Sequence, residues 1–184
     1  SAFYVKNTNQ QFKYRISNGL TIYTAELIAI KQSLSWIKQN LPDSNENIVI
    51  FSDSKSSLES IKINKSKLRP NLLNEILEML TNIKTKITFV WIPAHVNLSG
   101  NEIADQLAKA AILHTSIDLH VKFEARELYS MVDSYIMNAW QTDWTQNQSL
   151  NNYKALQTTV DTNIKHTENC RSQQVLITRL RLGA

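Results

Sequence analysis

The 184 residues are 42% hydrophobic and 20% charged with a net charge of +4, the profile of a folded globular chain rather than a disordered or fibrous one. No apolar run approaches the roughly 20 residues a membrane span needs, and no charged segment followed by an apolar one marks a secretory signal at the start. One cysteine, Cys170, and four histidines at scattered spacing exclude an intrachain disulfide and any zinc pattern, so Cys170 reads as an inert thiol and a reducing, intracellular setting is expected.

In chain order, residues 2–6 (AFYVK) and 11–16 (QFKYRI) read as short strands joined by the polar turn Asn7–Gln10. Thr24 is an N-cap candidate for a helix in which Leu27, Ile30, Leu34 and Ile37 recur at helical spacing, and Leu41–Pro42 ends it. Residues 47–52 (NIVIFS) form a continuous apolar run, which predicts a buried central strand. A short helix follows over SKSSLESIKI. Pro70 opens another, carried by Leu72, Leu73, Ile76, Leu77 and Leu80, and residues 86–92 (KITFVWI) give the next strand. A polar loop leads into a helix from about Gly100 to His114, with Ile103, Leu107 and Ala111 toward the core. The order β-β-α-β-α-α-β-α predicts an α/β fold with a mixed sheet flanked by helices.

Composition shifts near residue 115, so residues 1–114 are expected as one domain and 115–184 as a helical and linker appendage. Residues 1–114 hold thirteen Lys/Arg against nine Asp/Glu, whereas residues 115–184 hold seven of each. All the excess positive charge lies in the first part, which suits a polyanionic partner. In the appendage a helix is expected over about 122–146. On it Trp140 and Trp144 share a face with Ile136 and Met137, and that stripe reads as packing rather than base stacking. Residues 147–170 read as loop, and VLITRLRLGA as the opening of a further element. There are no internal repeats.

Phosphodiester hydrolysis needs an activated water and a neutralised leaving oxygen, and two Mg²⁺ ions held by carboxylate oxygens supply both. Such a site requires carboxylates converging from different elements. Asp53 ends the apolar strand, where open α/β sheets place their sites. Glu26 lies in the first turn of the helix beginning TAEL, and Asp105 lies on the helix after the last strand. Taken singly, each has a plainer account: Glu26 favours the positive helix start, Asp53 caps the following helix, and Asp105 is a solvated charge.

The stretch from His95 reads H-V-N-L-S-G-N-E-I-A-D, directly after the strand TFVWIPA. This pattern closely resembles the C-terminal signature of the ribonuclease H family, and TAEL and SDSKSSL agree with the family's other blocks in order and spacing. The wording of YTAEL, FSDSKSSL and WIPAH is most similar to ribonuclease H domains of non-LTR (jockey- or I-like) retrotransposon polyproteins. The resemblance covers residues 1 to about 114. It implies that Glu26, Asp53 and Asp105 ligate two Mg²⁺ ions, with Mn²⁺ an alternative, and that His95 is a mobile proton carrier on its loop. It implies an RNA–DNA hybrid as substrate and a covalently linked reverse transcriptase region as neighbour. Gly100 permits a tight helix entry. Asn101 and Glu102 begin that helix, where capping and loop support suit them better than metal binding.

One departure qualifies what the resemblance implies. The family's first strand carries an aspartate in a D-G-S/T block; this sequence has no such block and no Asp before Asp43. It opens with SAFYV, the start of the second strand in such domains, so an N-terminally truncated fold lacking one of four carboxylates is expected. Hydrolysis is expected to be severely impaired unless that strand is supplied, which leaves a nucleic-acid-binding remnant as the alternative to an enzyme. The ending LITRLRLG resembles the segment after the nuclease in such polyproteins, so both ends read as cut from a longer frame. For substrate contact, the basic run Lys62, Lys65, Lys67 and Arg69 is the candidate phosphate grip, with Asn101 beside it. An integrase-type nuclease is disfavoured, because integrases space their carboxylates differently.

Overall fold

Residues Ala2–Val5 (β1) and Gln10–Lys13 (β2) form an antiparallel hairpin in which Phe3 stands opposite Phe12. Their rings stack with centroids 4.5 Å apart, an aromatic cross-strand pair that sets the hairpin's inner face. Asn9 takes a left-handed φ of 54° in the turn, a conformation Asn tolerates better than most residues. The computed structural model describes residues 1–41, 46–94, 98–146 and 158–160, together with 171, 172, 175, 176 and 179.

Helix α1 spans Ile22–Asn40. Its N-cap is Thr21 rather than Thr24: the Thr21 hydroxyl accepts from the Thr24 backbone N–H at 3.2 Å. Thr24 is fully buried instead. Because the helix starts earlier than the sequence pattern implied, Glu26 falls beyond the first turn, which contains no acidic residue. The helix-start explanation for that carboxylate therefore loses its footing.

Strands β3 (Ile48–Ser52) and β4 (Ile87–Trp91) pair in parallel, and the crossover between them holds α2 (Lys55–Ile63) and α3 (Pro70–Asn82). Pro70 occupies the first turn of α3, where its missing N–H costs nothing. Helix α4 (Ser99–Ile112) packs on the hairpin, and α5 spans Ala125–Gln146. The α/β class expected from the element order is what the chain adopts. Among the described residues the strands fall in two two-stranded sheets, β1–β2 and β3–β4, rather than in one continuous sheet.

Nor is β3 a strand buried on both sides. Ile48 and Ile50 face the core, while Val49 is 39% and Phe51 61% exposed. Among the described residues β3 has one hydrogen-bonded neighbour, β4, and no element covers its second face, so the apolar run alternates between core and solvent.

The core is centred on α1. Leu27, Ile28, Ile30, Leu34 and Ile37 cluster with Leu72 and Ile76 of α3, and Ile48, Ile50, Ile87 and Phe89 of the β3–β4 sheet pack against them. Phe12 of the hairpin reaches Trp36 on the same helix. Both sheets thus lean on one helix.

By Cα proximity the chain divides into two compact units, Ser1–Leu128 and Tyr129–Ala184. The segment after residue 114 returns to the first unit. The Arg15 N–H donates to the Asp118 carboxylate at 2.7 Å, Ile16 bridges Leu119, and the Val121 N–H donates to the Ser17 hydroxyl at 2.9 Å. In the second unit Ile136 is 53% and Trp140 48% exposed, while Met137 and Trp144 are half-buried. Residues 147–157 and 161–170, with Cys170 among them, lie outside the described residues, as does most of the C-terminal segment. No helix among the described residues is long and apolar enough to cross a membrane.

Leu34 has no solvent exposure and sits at the centre of the α1 cluster. Leu34→Ala should cost about 2–5 kcal/mol of unfolding free energy in urea titrations, the range for a buried leucine replaced by alanine.

Candidate active site

Asp53 follows directly on β3, and the strand's direction fixes where it emerges. Two groups hold it. The Trp91 indole N–H, from the end of the paired strand β4, donates to the Asp53 carbonyl at 3.2 Å. The Asn101 amide, from the first turn of α4, donates to the Asp53 carboxylate at 3.2 Å. Asp53 does not cap α2: Ser54 occupies the cap position and makes no side-chain cap bond. Asn101 likewise is not a cap but an orienting partner of a carboxylate.

Glu26 comes from α1 and Asp105 from α4. Glu26 records the proximity of the other two. Burial first, then the charge of Asp53 and, less strongly, of Asp105, push its carboxyl from the ordinary 4.5 up to about 6, against an opposing contribution from the Ser1 amino group. Asp53, at the end of β3, and Asp105, on α4, thus each lie within electrostatic reach of Glu26 on α1.

Like charges gathered in this way are costly without a counter-charge, and hard carboxylate oxygens are the donors that divalent Mg²⁺ or Mn²⁺ prefers. The donor chemistry fits such an ion. Among the described residues, however, no group of three His, Cys, Asp or Glu side chains stands close enough to hold one, so Glu26, Asp53 and Asp105 would have to draw together around it.

The remaining candidates divide. Lys62, Lys65 and Lys67 are exposed at the end of α2 and in the loop before α3, as a phosphate grip requires. Arg69, grouped with them from the sequence, is only 2% exposed and pairs with Glu127, so its guanidinium serves the interior and is not presented to a substrate. His95 lies outside the described residues. Gly100 is not an entry hinge: it sits inside α4 with no left-handed φ, and a side chain there would meet the Tyr4 ring at an ordinary 3.7 Å. Trp91 was not legible as a site residue. Its sequence signals were an aromatic near the end of the strand 86–92 and its place in the WIPAH block, neither of which points to a contact with Asp53.

In the metal-free protein the displaced Glu26 equilibrium sets a pH dependence of stability. The folded carboxyl holds its proton more tightly than the unfolded one, so stability is full below about pH 4.5 and falls as pH rises to about 6. Glu26→Gln should therefore raise unfolding free energy at pH 7 by up to about 2 kcal/mol, with the gain vanishing below pH 4 in paired urea titrations.

A family model described as RNase H matches residues 1–113, more than half of the chain and all three carboxylates. This chain belongs to the RNase H family, whose domains are nucleases that bind RNA–DNA hybrids and generally use divalent metal ions.

Proposed function

We propose that this chain cleaves the RNA strand of RNA–DNA hybrids endonucleolytically, with Glu26, Asp53 and Asp105 holding divalent ions, Mg²⁺ by preference. The observation that carries the reading is the electrostatic convergence of Asp53 and Asp105 on the half-buried Glu26. Bound ions would supply an activated water and neutralise the leaving oxygen. Asn101 keeps the Asp53 carboxylate in one orientation, and Trp91 anchors the backbone behind it. His95, from its place in the signature, is the candidate to carry a proton to the leaving group. Lys62, Lys65 and Lys67 would grip backbone phosphates without reading sequence. The wording of the motifs supports a retrotransposon polyprotein as context, with template RNA removed after reverse transcription.

A second reading, a nucleic-acid-binding remnant without catalysis, is favoured by one observation. Strands β1 and β3 each have a hydrogen-bonded neighbour on one side alone among the described residues, and the sequence contains no D-G-S/T block. On our reading an aspartate-bearing strand beside β3 completes the site.

Cleavage of a labelled hybrid in Mg²⁺ separates the two. A version extended upstream through an Asp-Gly block should cleave, the present chain should cleave far less, and Asp53→Asn in the extended version should fall to the level of the enzyme-free control. Failure of the extended version, or full activity of its Asp53→Asn variant, overturns the mechanism.

The basic run makes a separate expectation. Replacing Lys62, Lys65 and Lys67 with alanine should weaken hybrid binding and flatten the slope of log K against log salt by about 0.7–0.9 for each phosphate no longer neutralised. Fluorescence anisotropy across a salt series measures this.

A further inference from the structure

Beyond the family-matched span, which ends at residue 113, the chain places a charged side chain in the interior of the first unit. Glu127 and Arg69 are each 2% exposed, and the Glu127 carboxylate forms an ion pair with Arg69 Nη2. Removing two charges from water costs several kcal/mol for each, so such a pair persists only where further hydrogen bonds satisfy it. Those bonds run to Thr24 and to the Lys122 carbonyl. The Thr24 hydroxyl donates to Glu127 Oε1 at 2.6 Å and accepts from Arg69 Nε at 3.0 Å. Arg69 Nη1 donates to the Lys122 carbonyl at 2.7 Å, which ties the guanidinium to the chain leading into α5.

Both partners are aimed by helix starts. Arg69 is the residue immediately before α3, so its backbone is fixed by that helix. Glu127 lies in the first turn of α5, and the Glu127 and Leu128 N–H groups both return to the Glu124 carbonyl. Thr24 lies in the first turn of α1, two residues before Glu26. On a helix, side chains two apart point to nearly opposite faces. Holding Thr24 on one side therefore fixes the rotation with which Glu26 is presented on the other.

We propose that Glu127 is a positioning residue for the carboxylate site: through Thr24 it moors the turn of α1 that presents Glu26. The functional module then extends past residue 113 through Glu127. The proposal rests on the metal-binding reading of Glu26, and its test separates the two.

The test uses the full chain with two variants. Thr24→Val keeps side-chain volume and the Arg69–Glu127 pair but cuts the link to α1, so it remains informative if Glu127→Gln fails to fold. Amide hydrogen exchange is measured first. Both variants should speed exchange at Ala25, Glu26 and Leu27 while leaving the Leu34 and Ile76 amides unchanged. Mn²⁺ affinity is then read from the electron paramagnetic resonance of free Mn²⁺, with Glu26→Gln as the reference for a lost ligand. Each variant should bind Mn²⁺ about 10-fold more weakly at unchanged stoichiometry, the lower end of the effect of removing an outer-shell orienting group.

Uniformly faster exchange across the domain, or unchanged exchange at Ala25, Glu26 and Leu27, overturns the mooring. Local loosening with unaltered Mn²⁺ affinity overturns the positioning role. If the parent binds Mn²⁺ no better than Glu26→Gln, the metal reading fails, and with it any role for Glu127 toward a metal, while the exchange data still decide whether α1 is moored.

Discussion

Everything in the first unit depends on one helix being enclosed. α1 places Leu27 and Leu34 out of solvent entirely and meets α3, the β3–β4 sheet and the hairpin on different sides. A surface helix offers one apolar stripe, whereas a helix buried on several sides must be apolar more widely, as the run Leu27–Ile30 is. Such burial holds α1 in place, because close-packed interiors do not permit a helix to slide or turn without opening voids. Glu26 rides on that helix. The position of the Glu26 carboxylate is thus set by the hydrophobic core that surrounds its carrier.

Enclosure of α1 also explains how two small sheets cooperate without a shared ladder. An isolated two-stranded sheet is marginal in water, and each sheet here gains its stability from the helix it leans on. The β3–β4 sheet contributes Asp53 at its end, and α4, packed on the hairpin, contributes Asp105 and Asn101. The Asn101–Asp53 hydrogen bond crosses from one of these assemblies to the other. The site is therefore the place where the two halves of the fold are compared.

Much of this was readable from residues. The periodicity of Leu27, Ile30, Leu34 and Ile37 located α1, Pro70 marked the start of α3, and strand-length apolar runs located β3 and β4 to within a residue. The three carboxylates stood out as candidates because a metal site would demand such chemistry at strand ends and on adjacent helices. What escaped was tertiary in origin. Arg69 looked like part of a basic surface run, since sequence proximity to Lys62, Lys65 and Lys67 cannot reveal that an acid far along the chain, Glu127, draws it inward. Thr24 looked like a cap because Ser and Thr at helix starts usually are; Thr21 three residues earlier took that role and left Thr24 to the interior. The apolar continuity of β3 implied two covered faces, and only packing could show that one of them is open.

That open face has a practical consequence. Val49 and Phe51 project from a strand with a vacant hydrogen-bonding side among the described residues, next to the half-exposed ring of Trp91. An uncovered strand edge carrying apolar side chains is a template for pairing with another polypeptide, and natural sheets normally blunt such edges with charge, proline or a covering element. None of the five residues of β3 is charged or a proline. The two faces of β3 therefore meet different demands: Ile48 and Ile50 serve the core, while Val49 and Phe51 lack the blunting that an open edge ordinarily carries.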